Sequence, residues 1–117
     1  FHTWIREAVA ADKPYDDFVR DIVCAIGEES KSPTTVWYKE VKTPENFVDD
    51  VSQVFLGQRL ACANCHHHPY EKWSQDDYWG LAGYFARLGR KKVPQPGRDP
   101  NAGMQVIFTS TTGTILN

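Results

Sequence analysis

Two cysteines and three histidines lie within seven consecutive positions, in the segment CANCHHH that begins at Cys62. Cys62, Cys65 and His66 have the spacing C-x-x-C-H, the attachment signature of a c-type haem. Two thiols at this spacing can reach two vinyl-derived carbons on one edge of the macrocycle, and the next residue can bring an imidazole nitrogen to the iron. The spacing therefore predicts that Cys62 and Cys65 hold haem c through thioether bonds and that His66 is the proximal iron ligand.

Other interpretations of these residues remain open. A zinc-stabilised interaction module would use Cys62, Cys65 and His66 or His68, although structural zinc sites have four ligands that usually come as two separated pairs. A redox dithiol would need its C-x-x-C after a strand and at a helix start, and the helical pattern before Cys62 disfavours it. A chance match would require two of only three cysteines to fall into the motif.

A bound haem also needs groups that satisfy its propionates. Arg59 and Trp73 are close to the motif in sequence and offer a cationic and an N–H donor, so we expect them to contribute to cofactor binding. His68 is a further candidate, either as a donor to a propionate or as a polar loop histidine. The chain is 13% aromatic, which provides apolar rings for the walls of such a site or simply for a core.

The axial positions of the iron call for two further assignments. A ligating imidazole normally donates its other ring N–H to a carbonyl or carboxylate, so we expect a carbonyl of the segment 68–69 or beyond to orient His66. The opposite side has one thioether candidate, Met104, which is the sole methionine. An open opposite side would instead favour binding of a small ligand or peroxide chemistry.

Length and composition predict one globular domain over residues 1–117. The chain is 41% hydrophobic and 24% charged, with a net charge of -2 and a sequence pI near 6.1. A concentrated basic surface for nucleic acid is not expected. No apolar run approaches the roughly 18 residues of a membrane span. The start within a helical pattern, without an initiating Met, indicates a piece excised from a larger multidomain protein.

Hydrophobic periodicity predicts a mainly α fold, a small cytochrome c-like helical arrangement. The expected helices are FHTWIREAVAA, DDFVRDIVCAIG, PENFVDDVSQVFLG with Thr43 as N-cap, and QDDYWGLAGYFARLG. Tyr15 leads into the second of these, Asp16 can cap it, and its apolar face includes Ile26. Ser74 and Asp77 have the spacing of a capping box for the last of these. A break near Gly57 should place the cysteines on a fresh turn.

The C-terminal quarter carries weaker patterns. The run RLGRKK is expected to cap the C-terminus of the last helix, which Gly89 ends, and to place cations at the negative end of its dipole. The stretch MQVIFTSTTGTILN predicts a short β-hairpin with its turn at Thr112-Gly113.

The run CANCHHHPYEKWSQDDYWGLAGYFARL, preceded by VSQVFLGQRLA and further back by PYDDFVRDIV, resembles a domain of unknown function found in large secreted planctomycete proteins and described as cytochrome-like. The resemblance covers residues 1–90. It implies covalent haem at Cys62 and Cys65, axial ligation by His66, and an origin in an exported multidomain protein. It implies no established reaction.

These observations together favour a mono-haem c-type cytochrome domain for electron transfer over an enzyme. Because haem c is attached to reduced thiols after export, a periplasmic or extracellular location is expected. The expected partner is a redox protein or a neighbouring domain of the parent chain. The competing hypotheses are a haem domain with an open distal site and a zinc-stabilised interaction module.

Overall fold

A computed structural model describes residues 1–93 and 104–111, which are mainly helical with a small antiparallel sheet. The predicted fold class is confirmed at that level. The chain divides into two compact units, each described by itself, and the organisation of residues 1–117 as one domain stays a prediction. Within the described ranges, no helix has the length and apolar character that a membrane crossing requires.

The first unit contains residues 1–40 and, of the described remainder, 89–93 and 104–109. Its helices are α1 (His2–Ala10), α2 (Tyr15–Val23) and the short α3 (Trp37–Glu40), with a 3₁₀ turn at Pro33–Val36. Its strands are β1 (Gly27–Glu28), β2 (Leu88–Val93) and β3 (Met104–Thr109). Leu88, the first residue of β2, is counted with the second unit. The strand order is β1-β3-β2, and Gly27 lies opposite Ile107 in an antiparallel pair.

Aromatic side chains hold the helices of the first unit together. The rings of Trp4 and Phe18 stack with centroids 5.1 Å apart. Tyr38 is buried, and its hydroxyl donates a hydrogen bond to the carbonyl of Val23 at the end of α2. That helix ends three residues earlier than its periodicity predicts, so Ile26 is exposed and its assignment to the apolar face was wrong.

The strand β2 is the main departure from the sequence-based expectation. Helix α5 (Gln75–Phe85) ends at Phe85, and RLGRKK enters an extended strand instead of capping a helix. Gly89 lies under the ring of Phe108, where an added Cβ would be 2.4 Å from the ring. Gly89 therefore allows the two strands to approach closely, and it does not end the helix as predicted. The predicted hairpin turn at Thr112-Gly113 lies outside the described residues.

The second unit contains residues 41–88 and, of the described remainder, 110–111. It consists of α4 (Pro44–Val54), a 3₁₀ turn at Leu60–Asn64, here called the cysteine turn, and α5. Thr43 caps α4, since its Oγ1 accepts a hydrogen bond from Asn46 N at 3.2 Å. Gly57 has a φ of +64°, which glycine adopts without strain. The predicted break and fresh turn are confirmed.

The core of the second unit lies where α4, α5 and the cysteine turn meet. The rings of Phe47 and Phe85 stack at 5.0 Å between centroids. The other buried apolar side chains of this core are Val48, Val51, Leu60, Ala63, Tyr78 and Ala82. Because Leu60 and Ala63 belong to this set, the cysteine turn is anchored by the same packing that joins the two helices.

The N-terminus of α5 carries the predicted capping box. Ser74 Oγ accepts a hydrogen bond from Asp77 N at 3.1 Å, and Ser74 N donates to Asp77 Oδ2 at 2.9 Å. Ser74 N and Ser74 Oγ both donate to Asp77 Oδ2, at 2.9 and 2.7 Å, and these two bonds lower the pKa of Asp77 below its usual value, because they stabilise the charged carboxylate. The box fixes where the loop after the histidines turns into α5.

Replacing Ser74 with alanine is expected to lower the free energy of unfolding by about 1 kcal/mol near neutral pH. Because the pKa of Asp77 is lowered in the fold, its carboxylate stabilises the protein above pH about 3.9, and this contribution is lost as the pH falls through the lowered pKa. The difference in free energy of unfolding between wild type and Ser74→Ala should therefore become smaller in acid. Urea unfolding at two pH values measures it, with Ser30→Ala, at an exposed turn, as the control.

Candidate functional site

The two motif cysteines form one exposed row at the cysteine turn, with Cys62 inside the turn and Cys65 as the residue that caps its C-terminal end. In a 3₁₀ helix with three residues per turn, side chains at i and i+3 eclipse each other. Leu60 and Ala63 form the buried row, at 2% and 0% exposure, and Cys62 with Cys65 forms an exposed row. Both are free thiols. The turn thus leaves both thiols exposed to solvent, while its buried row is fixed in the core.

Asn64 ties the cysteine turn to α5. Its side-chain Nδ2 donates to the hydroxyl of Tyr78 at 3.2 Å. Its carbonyl accepts from Gln75 Nε2 at 3.0 Å and from Trp79 Nε1 at 3.2 Å. These three hydrogen bonds of Asn64, which lies between the two cysteines in sequence, fix the position of the turn that carries the thiols.

Tyr78 carries this connection on to α4. Its side chain is fully buried, and its hydroxyl donates to Asp49 Oδ1 at 3.1 Å. Burial, more than the bond to the nearby carboxylate, raises the pKa of Tyr78, so it stays a neutral donor. Desolvation also raises the pKa of Asp49 above its usual value, and Glu45 and Asp50 add to that effect. A partly buried polar chain therefore runs from Asn64 through Tyr78 to Asp49.

Replacing Asp49 with asparagine is expected to remove a destabilising contribution at neutral pH. Because the pKa of Asp49 is raised in the fold, its contribution to the free energy of unfolding falls as the pH rises from about 3.9 through the raised pKa. The asparagine oxygen can still accept from Tyr78, so only the charge is lost. Chemical unfolding from pH 4 to 7.5 should show a steeper decline for wild type than for Asp49→Asn, and an identical pH dependence would contradict this expectation.

His66 is exposed and follows the cysteine row directly. Its Nδ1 lies 2.6 Å from the carbonyl oxygen of His67, and because a carbonyl can only accept, Nδ1 carries the proton. The expected orienting carbonyl is thus present, but it belongs to His67 and not to the segment 68–69 or beyond. With Nδ1 as the donor, Nε2 keeps its lone pair, which is the form in which an imidazole binds a metal.

The two following histidines are engaged in the backbone of the loop. His67 Nδ1 accepts from Gln75 N, the first residue of α5, at 3.3 Å. His68 Nδ1 accepts from Tyr70 N and Glu71 N at 3.2 and 3.1 Å, and its Nε2 donates to the Arg59 carbonyl at 3.1 Å. Both ring nitrogens of His68 are therefore in use, and in this arrangement neither is offered to a propionate or a metal.

Trp73 and Arg59, the other two residues predicted to bind the cofactor, lie near the motif but have different partners. Trp73 Nε1 donates to Gln58 Oε1 at 2.7 Å, and the ammonium of Lys72 lies 5.4 Å from the Trp73 ring. The indole N–H is thus used within the protein. Arg59 has an exposed side chain, and its carbonyl is the acceptor for His68. Arg59 keeps a cation available beside the cysteine turn.

Met104 begins strand β3 of the first unit, and its side chain lies outside the described residues. Its proposed ligation of iron stays a prediction. In residues 1–93 and 104–111, no three His, Cys, Asp or Glu side chains are grouped to hold a metal ion. A zinc site of Cys62, Cys65 and a histidine needs such a group, whereas haem attachment requires only two accessible thiols and one imidazole.

Sequence reasoning missed the residues that support the site from behind. Asn64 is an unspecified position of C-x-x-C, and Gln58 and Gln75 have no motif, so no local pattern could have identified them. The Tyr78 side chain is fully buried, but the partners of its hydroxyl depend on tertiary packing, which no local pattern reveals. The capping box of Ser74 and Asp77 was a local signal for the start of α5, the helix that contains Gln75 and Tyr78.

Comparisons with known proteins agree with the sequence resemblance at a coarse level. No curated protein and no solved structure matches the chain. Residues 1–90 match the family PSCyt2, whose description is a protein of unknown function (DUF1549). The matched range includes α1 to α5 and the complete C-x-x-C-H motif, and it ends within β2, before Met104. The chain therefore belongs to the PSCyt2 family of proteins of unknown function.

Proposed function

We propose that this chain is a mono-haem c-type cytochrome domain that transfers single electrons. The observation that carries the proposal is the exposed row of Cys62 and Cys65, followed directly by an imidazole whose Nε2 is free to bind iron. Each thiol would add its S–H across one haem vinyl group, with sulfur bonding to one carbon and hydrogen to the other. Bound haem supplies a one-electron iron couple.

The chain's own residues would hold the cofactor and orient its ligand. The buried row of the cysteine turn and the three hydrogen bonds of Asn64 fix the backbone from which the thiols project. The carbonyl of His67 fixes the tautomer of His66, which removes one rearrangement before ligation. Arg59 is the cation beside the turn for a propionate.

The proposal also gives a location and a class of partner. Thioether attachment requires reduced thiols and takes place after export, so we place the domain in the periplasm or outside the cell. Its partner would be a redox protein or a neighbouring domain of the parent chain.

The test is maturation of the protein together with a cytochrome c assembly machinery. A pyridine-haem spectrum and an intact mass equal to the polypeptide plus one haem are the expected results. The control variant Cys24→Ser removes the third free thiol, which is exposed in the first unit, and should mature like wild type. A colourless product with the mass of the bare polypeptide, from cells that mature another cytochrome c normally, would overturn the proposal.

The optical spectrum also separates electron transfer from ligand chemistry. A low-spin, six-coordinate iron that binds carbon monoxide slowly supports electron transfer. A high-spin iron that binds carbon monoxide rapidly would instead favour an open distal site. Met104→Leu tests the predicted opposite ligand, since loss of its thioether should convert a six-coordinate spectrum into a five-coordinate one.

A further inference from the structure

His68 differs from its two neighbours in having both ring nitrogens hydrogen-bonded to the main chain. Nδ1 accepts from two backbone amides, Tyr70 N and Glu71 N, so it is unprotonated. Nε2 lies 3.1 Å from the carbonyl oxygen of Arg59, so it carries the proton. The ring is therefore a neutral imidazole in the Nε2–H form, the opposite tautomer to that of His66.

The bond from His68 to Arg59 closes a loop around the motif. Arg59 is the residue before the cysteine turn, so the closed segment is 60–67 and contains both thiols and His66. A second connection lies beside it, because His68 N donates to the Trp73 carbonyl at 2.9 Å and Trp73 Nε1 donates to Gln58. The chain after the histidines is thus fastened to the chain before the cysteines.

We infer that His68 is the positioning residue for His66, and that its Nε2–H bond to Arg59 holds that imidazole at the end of the cysteine row. The inference rests on the proposed haem attachment. Closing the segment in the free protein lowers the entropy lost when the thiols and the imidazole must meet one rigid cofactor together.

The bonds of His68 should matter more for this geometry than for overall stability. Tyr70 and Glu71 are exposed, so water can satisfy their amides when the imidazole is removed. The core of the second unit does not include the ring, since His68 is only partly buried. A variant without the ring should therefore fold and unfold much like wild type while the position of His66 becomes less defined.

Three substitutions separate the two sides of the ring. His68→Ala removes both the Nε2–H donor and the Nδ1 acceptor of the ring. His68→Gln places an amide N–H where Nε2 lies and can still donate to Arg59, whereas His68→Asn keeps an acceptor near Nδ1 and is too short to reach that carbonyl. Tyr70→Ala is the matched control in the same loop, because the Tyr70 side chain is 91% exposed.

Two measurements report on His66 itself. Nitrogen NMR of the imidazoles in the haem-free protein reads the tautomer of His66, and the optical spectrum of the matured protein reads its ligation to iron. In wild type His66 should be held in the Nδ1–H form. In His68→Ala and His68→Asn it should average between tautomers, and the yield of correctly ligated haem should fall about fivefold, the effect of one hydrogen bond. His68→Gln should restore most of both.

Each outcome decides a separate question. Absence of haem in wild type overturns the proposed function, and the NMR comparison then decides whether His68 orients His66. Haem in wild type with unchanged spectra and yield in His68→Ala overturns the inference alone. Rescue by His68→Asn as complete as that by His68→Gln, or an equal loss in Tyr70→Ala, also overturns it. If the thermal unfolding of His68→Ala differs from that of wild type, the comparison between His68→Gln and His68→Asn decides the question.

Discussion

Replacing both Cys62 and Cys65 with serine is expected to abolish covalent haem while leaving the fold intact. Both side chains are exposed, and the buried row of the cysteine turn is unchanged, so the substitution costs little packing energy. Without the sulfurs no thioether can form, and any haem that binds should be lost under denaturing conditions. Intact mass and in-gel haem fluorescence after denaturation measure the result.

The single variants and the third cysteine refine this prediction. Cys62→Ser and Cys65→Ser should each retain at most one thioether, with a lower yield than wild type. Cys24→Ser should retain full attachment, because its thiol lies in the first unit, outside the motif. Covalent haem on the double variant, or its loss from Cys24→Ser, would show that the thioether pair has been assigned to the wrong residues.

Replacing Phe47 with alanine is expected to have the largest effect on stability. The Phe47 ring is 1% exposed and stacks on Phe85, so its removal should lower the free energy of unfolding by about 3–5 kcal/mol. A domain of ordinary stability has only about 5–15 kcal/mol in total. Because the cysteine turn packs on both α4 and α5, the yield of matured haem protein should fall as well.

The control for this prediction is Val54→Ala in the same helix. Val54 is the last residue of α4 and is 61% exposed, so its truncation should change the free energy of unfolding by less than about 0.5 kcal/mol. Urea unfolding followed by tryptophan fluorescence compares the two. Similar losses from both variants would mean that the core of the second unit is not where Phe47 and Phe85 place it.

Local sequence signals predicted the elements that have strong start and stop chemistry. Thr43-Pro44 and the Ser74–Asp77 box located the beginnings of α4 and α5, because a side-chain oxygen that satisfies a free amide is a local interaction. The break at Gly57 was predicted for the same kind of reason, since glycine accepts a positive φ. The type of turn that follows it was not predictable from these residues.

The extended C-terminal part was harder to predict because strands depend on distant partners. RLGRKK has the charge of a helix end, yet all of it after Arg87 lies in β2, which pairs with β3 in the sheet. β1 is only two residues long and pairs with Ile107 and Val106, about eighty positions away in sequence. No periodicity in Gly27–Glu28 could indicate that pairing.

The amino-acid sequence by itself determined the chemistry that this protein can offer: two thiols and an imidazole at haem spacing, on a chain whose apolar pattern is mainly helical. Only the tertiary structure decided how these groups are held. The 3₁₀ turn over Leu60–Asn64, capped by Cys65, leaves Cys62 and Cys65 exposed while Leu60 and Ala63 are buried. Three adjacent histidines of identical chemistry received different hydrogen-bond partners, because each partner is brought to its ring by folding and not by neighbourhood in sequence.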